Sequence, residues 1–190
     1  MNYAGFSIEY SPNRVLAAAT ITLFNDKKEC IEEKSRLFRP SIFYHPNNLF
    51  ARDREGFETV KALMSNPFNI LAFYRKTYSP KYNLAKYIGE EFYLPTFSIA
   101  DNLGSGSYSP LPKKSGFFQP VYDGKLLLCY ALRTQPFLKP VYLTIGNDTK
   151  PQRVIPLTFS FIKDSRIPEI VRQARNKSKQ TLREHLHDLL

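Results

Sequence analysis

The sequence predicts an α+β protein with a mainly antiparallel sheet, helices packed on one face, and an amphipathic C-terminal helix. Short segments rich in β-branched and aromatic residues alternate with turn residues, and three further segments space their apolar residues as helices do. Hydrophobic residues make up 43% of the 190 positions, which is a globular composition. A chain of this length suits one core, so we expect a single domain over residues 1–190.

The N-terminal third contains two predicted strands and two predicted helices. Residues 5–24 read as strands on either side of a Ser-Pro-Asn turn. The charged segment 25–38 is most simply a helix, because Cys30 and Ile31 are followed by apolar residues at roughly helical spacing. Asp53 is expected to cap the next helix, on which Phe57, Val60 and Met64 share one face.

The stretch AFYRKTYSPKYNLAKY, residues 72–87, holds five aromatic and four basic side chains without a carboxylate. Its Phe, Tyr, Ile and Thr content favours a strand from Asn69 to Tyr78. A helix opened by Asn66-Pro67 is the alternative, since proline suits a first helical turn. A short helix capped by Ser79 and ending at Gly89 should follow.

The C-terminal half begins with residues 101–120, where Gly, Ser and Pro predict a long flexible loop, either functional or a solvated insertion. An antiparallel meander of about four strands should follow, with a hairpin turn at Asp123-Gly124. Its predicted segments are 116–122, 125–133, 140–146 and 153–161. The chain should close with a helix over about 165–189, whose apolar face includes Ile170, Val171, Ala174 and Leu182.

The charge balance points toward a polyanionic partner. The formal net charge of +10 favours nucleic acid, an anionic membrane surface or an acidic protein. Cys30 and Cys129 lie about a hundred positions apart and three histidines complete no ligand set, so the sequence predicts no metal and no cofactor. The longest apolar run, residues 15–24, is too short to span a bilayer. We expect a cytoplasmic or nuclear protein that is not secreted.

Two basic zones contain no acidic residue, one between Glu58 and Glu90 and one between Glu169 and Glu184. Stacking rings and phosphate-binding cations in the first, and a cationic helix stripe in the second, would suit a nucleic acid. In the alternative, the rings are half-buried, the lysines solubilise an edge strand, and the helix stripe is a solvated face. With two lysines of the 101–120 loop, the predicted nucleic-acid-binding residues are Tyr74, Arg75, Lys76, Tyr78, Lys81, Tyr82, Lys86, Lys113, Lys114, Arg172, Arg175, Lys179 and Arg183.

One pattern formally matches a metal-dependent nuclease. Asp26, Glu32 and Lys34 follow the order of an acid and a Glu-x-Lys pair, in which the carboxylates would hold Mg²⁺ and the lysine would assist at the phosphate. A segment rich in Glu and Lys produces this pattern by chance, and the arrangement needs adjacent strands where we predict a helix. We therefore assign no catalytic residue.

The sequence thus favours a non-catalytic nucleic-acid-binding protein over an enzyme. Single-stranded nucleic acid or RNA is the favoured ligand, since no helix-turn-helix, zinc-finger or basic-zipper pattern is present. The size suits a small subunit of a larger nucleoprotein assembly. The second hypothesis is a protein-interaction or structural subunit whose basic surface meets an acidic partner. The third is a metal-dependent nuclease.

Overall fold

A computed structural model describes residues 1–42, 45, 49–79 and 83–187. These residues form an α+β fold with eight strands in a mixed, mostly antiparallel sheet and four helices, which confirms the predicted fold class. The strands are β1 Tyr3–Tyr10, β2 Ala17–Phe24, β3 Cys30–Phe38, β4 Ile70–Thr77, β5 Thr96–Asn102, β6 Phe117–Asp123, β7 Leu126–Arg133 and β8 Val141–Ile145. The helices are α1 Leu49–Lys61, α2 Leu84–Phe92, α3 Pro151–Ser160 and α4 Glu169–His187.

The chain divides into two compact units. The first comprises Met1–Leu71 with Ile170–Leu190, and the second comprises Ala72–Glu169. In the part of the chain that the structure describes, no helix is both long and apolar enough to cross a membrane.

In the first unit, the sheet has the order β3-β2-β1, with antiparallel pairing throughout. All eight residues of β2 are buried, as its uninterrupted run of small and apolar side chains requires. Helix α4 lies close against β1: a Cβ at Gly5 would stand 1.4 Å from the Ile170 carbonyl oxygen, so only glycine fits there. The Ser178 hydroxyl also donates to the carbonyl of Ser7 at 3.1 Å.

The prediction of a helix over 25–38 is wrong, because residues 30–38 form β3. The strand pairs with β2 in a register that sets Ala17 opposite Phe38. Asn25 makes the turn, accepting from the Glu29 backbone at 3.1 Å while Lys28 takes a left-handed conformation with φ of 63°. Pairing with the buried β2 outweighs the helix preference of Glu and Lys, and the charges suit an edge strand.

Helix α1 begins at Leu49, so Asp53 lies inside the helix and the prediction that it caps the next one is wrong. Phe57 and Val60 are buried as predicted. Gly56 lets this helix approach β1, since a Cβ there would lie 2.5 Å from the Ile8 Cδ1 atom.

In the second unit, the sheet has the order β4-β5-β8-β7-β6. The predicted hairpin at Asp123-Gly124 joins β6 and β7 in antiparallel register. The predicted strand over 153–161 is instead helix α3, which starts at Pro151. The meander therefore contains β6, β7 and β8. Helix α2 is capped by Asn83, whose side chain accepts from the Lys86 N–H at 3.0 Å, rather than by Ser79.

The stretch between β5 and β6, predicted as a flexible loop, packs partly on the core of the second unit. Ser107 forms an antiparallel bridge with Tyr122. Leu111 is buried with Val121 and Tyr142 in one hydrophobic cluster. This loop therefore has fixed contacts that hold its two lysines in place.

Candidate nucleic-acid interface

The tyrosines of β4 and its end, predicted to stack on bases, are core residues. Tyr74 and Tyr78 are only 8% and 7% exposed. The Tyr74 hydroxyl donates to Asp101 Oδ2 at 2.7 Å, and the Tyr78 hydroxyl donates to the Leu128 carbonyl at 3.2 Å. A tyrosine whose hydroxyl finds an acceptor inside the protein can be buried at little cost. The prediction that at least two of Tyr74, Tyr78 and Tyr82 are accessible is therefore wrong.

The titration of this core agrees with its burial. Desolvation raises the pKa of Tyr78 to about 12 and that of the Cys129 thiol to about 12. Desolvation, followed by the hydrogen bond with Tyr108, also raises the pKa of Tyr142. Tyr78, Cys129 and Tyr142 belong to the same hydrophobic cluster as Leu111 and Val121, so they are part of the core.

The described cations of the same stretch are exposed or half-buried, whereas Phe73, Tyr74 and Tyr78 are buried and Tyr87 is 39% exposed. Lys76 is exposed and Arg75 is half-buried. Lys86 is exposed and lies 3.8 Å from Glu90 across one helical turn. Phe73 is fully buried. Lys81 and Tyr82 lie outside the described residues. The buried rings fit the alternative interpretation, but β4 is not at an end of the sheet order and so is not the edge strand that this interpretation assumed.

Helix α4 confirms the predicted apolar face, since Ile170, Val171, Ala174 and Leu182 are all buried. Of the predicted basic stripe, Arg183 is exposed, whereas Arg172, Arg175 and Lys179 are half-buried, so full exposure of the stripe is wrong. The Lys179 ammonium lies 3.9 Å from Glu9 Oε1. A surface pair of this kind contributes about 0–1 kcal/mol, so a phosphate could replace the carboxylate.

Lys113 and Lys114 are exposed between β5 and β6. The sequence pattern predicted a strand over residues 116–122 and gave no role to Phe117, Phe118 or Phe137. Their exposed fractions are 46%, 47% and 78%. Pro120, in the same strand as two of these rings, was a signal, because proline in a strand marks an edge.

The nuclease-like pattern does not form a site. The Asp26 carboxylate accepts from the Met1 amino terminus at 2.7 Å, and this hydrogen bond lowers the pKa of Asp26. Glu32 accepts from the backbone N–H groups of Ser65 and Asn66 at 2.7 and 3.1 Å. Lys34 is half-buried on β3. Both carboxylates therefore serve to tie neighbouring segments of the first unit together.

Each unit contains a buried carboxylate in a polar cluster. In the first unit, Asp53 Oδ1 accepts from the Tyr10 hydroxyl at 2.6 Å, and the Arg52 guanidinium lies over the Tyr10 ring at 4.7 Å. In the second unit, Asp101 binds the Tyr74 hydroxyl and the Arg166 guanidinium, the latter at 3.1 Å. Both aspartates are thus already bonded to neighbours within their own unit.

Nucleases commonly cleave phosphodiesters with divalent ions held by carboxylates. Among the residues that the structure describes, no three His, Cys, Asp or Glu side chains come together as a ligand set. The Asp53 carboxylate accepts a hydrogen bond from Tyr10, and the Asp101 carboxylate binds Tyr74 and Arg166. These carboxylates therefore do not fit a metal centre held by the protein alone. We therefore derive no catalytic step through a metal.

Comparison with known proteins decides the family. A model of the family described as Endonuclease V matches residues 3–176. The chain belongs to the endonuclease V family. An endonuclease V from Streptomyces avermitilis is 27% identical over 183 residues, which cover 95% of this chain and 80% of the relative.

Solved endonuclease V structures share the fold. The crystal structure from Bacillus subtilis has a TM-score of 0.86 at 22% identity, covering 100% of this chain and 83% of that one. Endonuclease V from Ciona intestinalis, solved with a DNA that contains an inosine followed by a ribo-adenosine, has a TM-score of 0.78 at 17% identity. That match covers 96% of this chain and 86% of the Ciona chain.

Family membership overturns the function predicted from sequence. A non-catalytic nucleic-acid-binding subunit was favoured because no strong catalytic signature was visible, but the family is one of nucleases. The prediction of a non-catalytic binding protein was therefore wrong, while its nucleic-acid connection is supported by the family.

Proposed function

We propose that this protein acts on nucleic acid as an endonuclease, the activity for which its family is named. The observation that carries the proposal is the family match over residues 3–176. The relatives extend it, since they match over nine-tenths of the chain or more.

The charge of the chain supports a polyanionic substrate. The net charge is +10, and exposed cations lie on both units, including Arg183 on α4 and Lys113 before β6. Cations that meet phosphates bind any sequence, and each contact makes the affinity fall as salt rises. This chain's described residues thus supply binding and orientation of a strand.

The test is a combined binding and cleavage assay of the purified full chain. The panel contains single-stranded and duplex DNA and RNA, each with and without one inosine, because the Ciona relative was solved with an inosine-containing strand. Cleavage is followed by denaturing gel with Mg²⁺, with Mn²⁺ and with chelator. We expect salt-dependent binding and nicking of at least one strand of the panel. The nicking activity should co-elute with the folded protein.

A mock purification from cells without the gene controls for contaminating nucleases. Nicking that is absent from the panel, or that does not follow the protein peak, would overturn the cleavage assignment even if binding is present. Absence of all binding would overturn the nucleic-acid role as well.

The cationic face of α4 is testable in the same assay. We propose that Lys179 and Arg183 contact phosphates, so replacing both by Ala should weaken all panel members similarly and flatten the salt dependence by about 1.4 to 1.8 slope units. A matched control replaces the exposed Lys27 and Lys150 by Ala. An unchanged slope would remove α4 from the interface.

A further inference from the structure

The second unit exposes aromatic rings next to lysines at one end of the β6–β7 hairpin. We call the group formed by Lys113, Lys114, Phe117 and Phe137 the aromatic patch. Each phenylalanine exposes 46% or more of its surface, with Phe137 at 78%. Grouped exposed rings are unusual on a soluble protein and mark interaction sites.

Backbone contacts bring three segments together at the aromatic patch. The Phe137 N–H donates to the Lys113 carbonyl at 2.9 Å, and the Gly116 N–H donates to the Arg133 carbonyl at 2.9 Å. Arg133 lies opposite Phe117 in the register, and its guanidinium binds the carbonyls of Pro112 and Leu138. The rings and lysines are therefore held on a fixed backbone.

Phe137 is also held in a strained conformation. Its φ is 60°, in the left-handed region that bulky side chains seldom occupy. The hydrogen bond to Lys113 and the one from Leu138 to the Pro136 carbonyl fix this turn. Backbone hydrogen bonds, and not packing of the exposed ring, therefore hold this conformation.

The charge around the aromatic patch complements a polyanion. From residue 102 to residue 147 the chain has five cations, and Asp123 is its only acid. Strand β6 is the last in its sheet, yet Pro120 offers no N–H for a further strand. Strand addition from a second copy is thereby disfavoured, whereas base stacking on rings with phosphates on lysines needs no backbone edge.

We propose that the aromatic patch binds an unpaired segment of nucleic acid, with bases stacked on Phe117 and Phe137 and phosphates on Lys113 and Lys114. The inference rests on the proposed nucleic-acid function and adds a second contact region that the family match does not assign. Phe118 follows Phe117 in β6, so its side chain points to the opposite face of the strand, where its ring lies 6.4 Å from that of Tyr130 in an edge contact.

The experiment compares two double variants of the full chain. A ring variant replaces Phe117 and Phe137 by Ala, and a charge variant replaces Lys113 and Lys114 by Ala. Controls are Tyr93→Ala, which removes an exposed ring on α2's C-terminal cap, and Lys27→Ala with Lys150→Ala. Affinity for a fluorescein-labelled oligothymidylate and for a matched DNA duplex is measured by anisotropy over a salt series.

We expect the ring variant to bind the single strand about tenfold or more weakly, with little change for the duplex. The charge variant should flatten the salt slope by about 1.4, as two lost phosphate contacts predict. Unchanged melting temperatures would show that both variants are folded, and a folded ring variant with wild-type affinity would overturn the proposal. The proposal would also be overturned if the ring variant kept its affinity for oligothymidylate but lost self-association or binding to phosphatidylserine vesicles. If the wild type binds no nucleic acid, the proposed function fails first.

Discussion

Two stretches of the second unit combine aromatic rings with lysines, and they present them in opposite ways. Around β4, Tyr74 and Tyr78 are buried, while at the β6–β7 end Phe117 and Phe137 are exposed. Polarity alone would predict the reverse. The tyrosines are buried because their hydroxyls meet Asp101 and a backbone carbonyl, and β6 lies at the end of the sheet order with a neighbour on one side. Position in the sheet, not residue type, sets exposure.

The largest effect should come from removing the buried rings. Tyr74→Ala or Tyr78→Ala should each lower the free energy of unfolding by about 3–5 kcal/mol, because a filled core site becomes a cavity. Phe117→Ala, the matched change at the exposed stretch, should stay within about 0.5 kcal/mol. Denaturant unfolding measures all three. A large loss at Phe117, or a negligible one at Tyr74, would reverse the comparison.

The second-largest loss of stability should come from replacing Asp101, the carboxylate that accepts from the Tyr74 hydroxyl. Asp101→Asn should lower the free energy of unfolding by about 3 kcal/mol, because it leaves the part-buried Arg166 without its carboxylate. Asp123→Asn at the exposed hairpin turn is the matched control and should be nearly neutral. If both variants unfold at the same denaturant concentration, the Asp101 cluster contributes no more than a surface charge.

Much of the fold follows from the sequence because local pattern and tertiary pairing agree. The turn between β1 and β2, the strand at Ile70–Thr77, the Asp123-Gly124 hairpin and the apolar face of α4 were all predicted. Prediction was wrong at residues 25–38, where pairing with a buried strand overrides helix-forming side chains.

The candidate site was harder to predict. The sequence pattern could not show that Tyr74 and Tyr78 are buried, because both faces of β4 are buried over its first five residues and the deciding acceptors are as far away in sequence as Leu128. Residues 113 and 137 are brought together by a backbone hydrogen bond between two loops. No local pattern encodes such a contact.

Alkaline pH should lower the stability that the cluster of Tyr78 and Cys129 contributes. Burial raises the pKa of Cys129 from 9.0 to about 12, so the folded state keeps its proton after the unfolded state has lost it. Stability is therefore complete below pH 9 and falls toward pH 12, by no more than about 1.4 kcal/mol per pH unit from this thiol. Urea unfolding of wild type and Cys129→Ala across this range checks it, and equal slopes would contradict it.

The smallest expected effect concerns the reactivity of the two thiols, which reports their exposure in the native protein. Cys30 is exposed on β3, whereas Cys129 is 2% exposed in the cluster with Tyr78. With a chromogenic disulfide reagent, native protein should release about one equivalent quickly and the second only on opening, because thiolate formation at Cys129 is suppressed. Phe117→Ala should not change this pattern, but Tyr78→Ala should speed the slow phase by exposing the neighbouring thiol. If instead the exposed-ring variant accelerates Cys129 and the tyrosine variant does not, the core lies beneath β6 rather than around Tyr78, and the contrast between the two stretches fails.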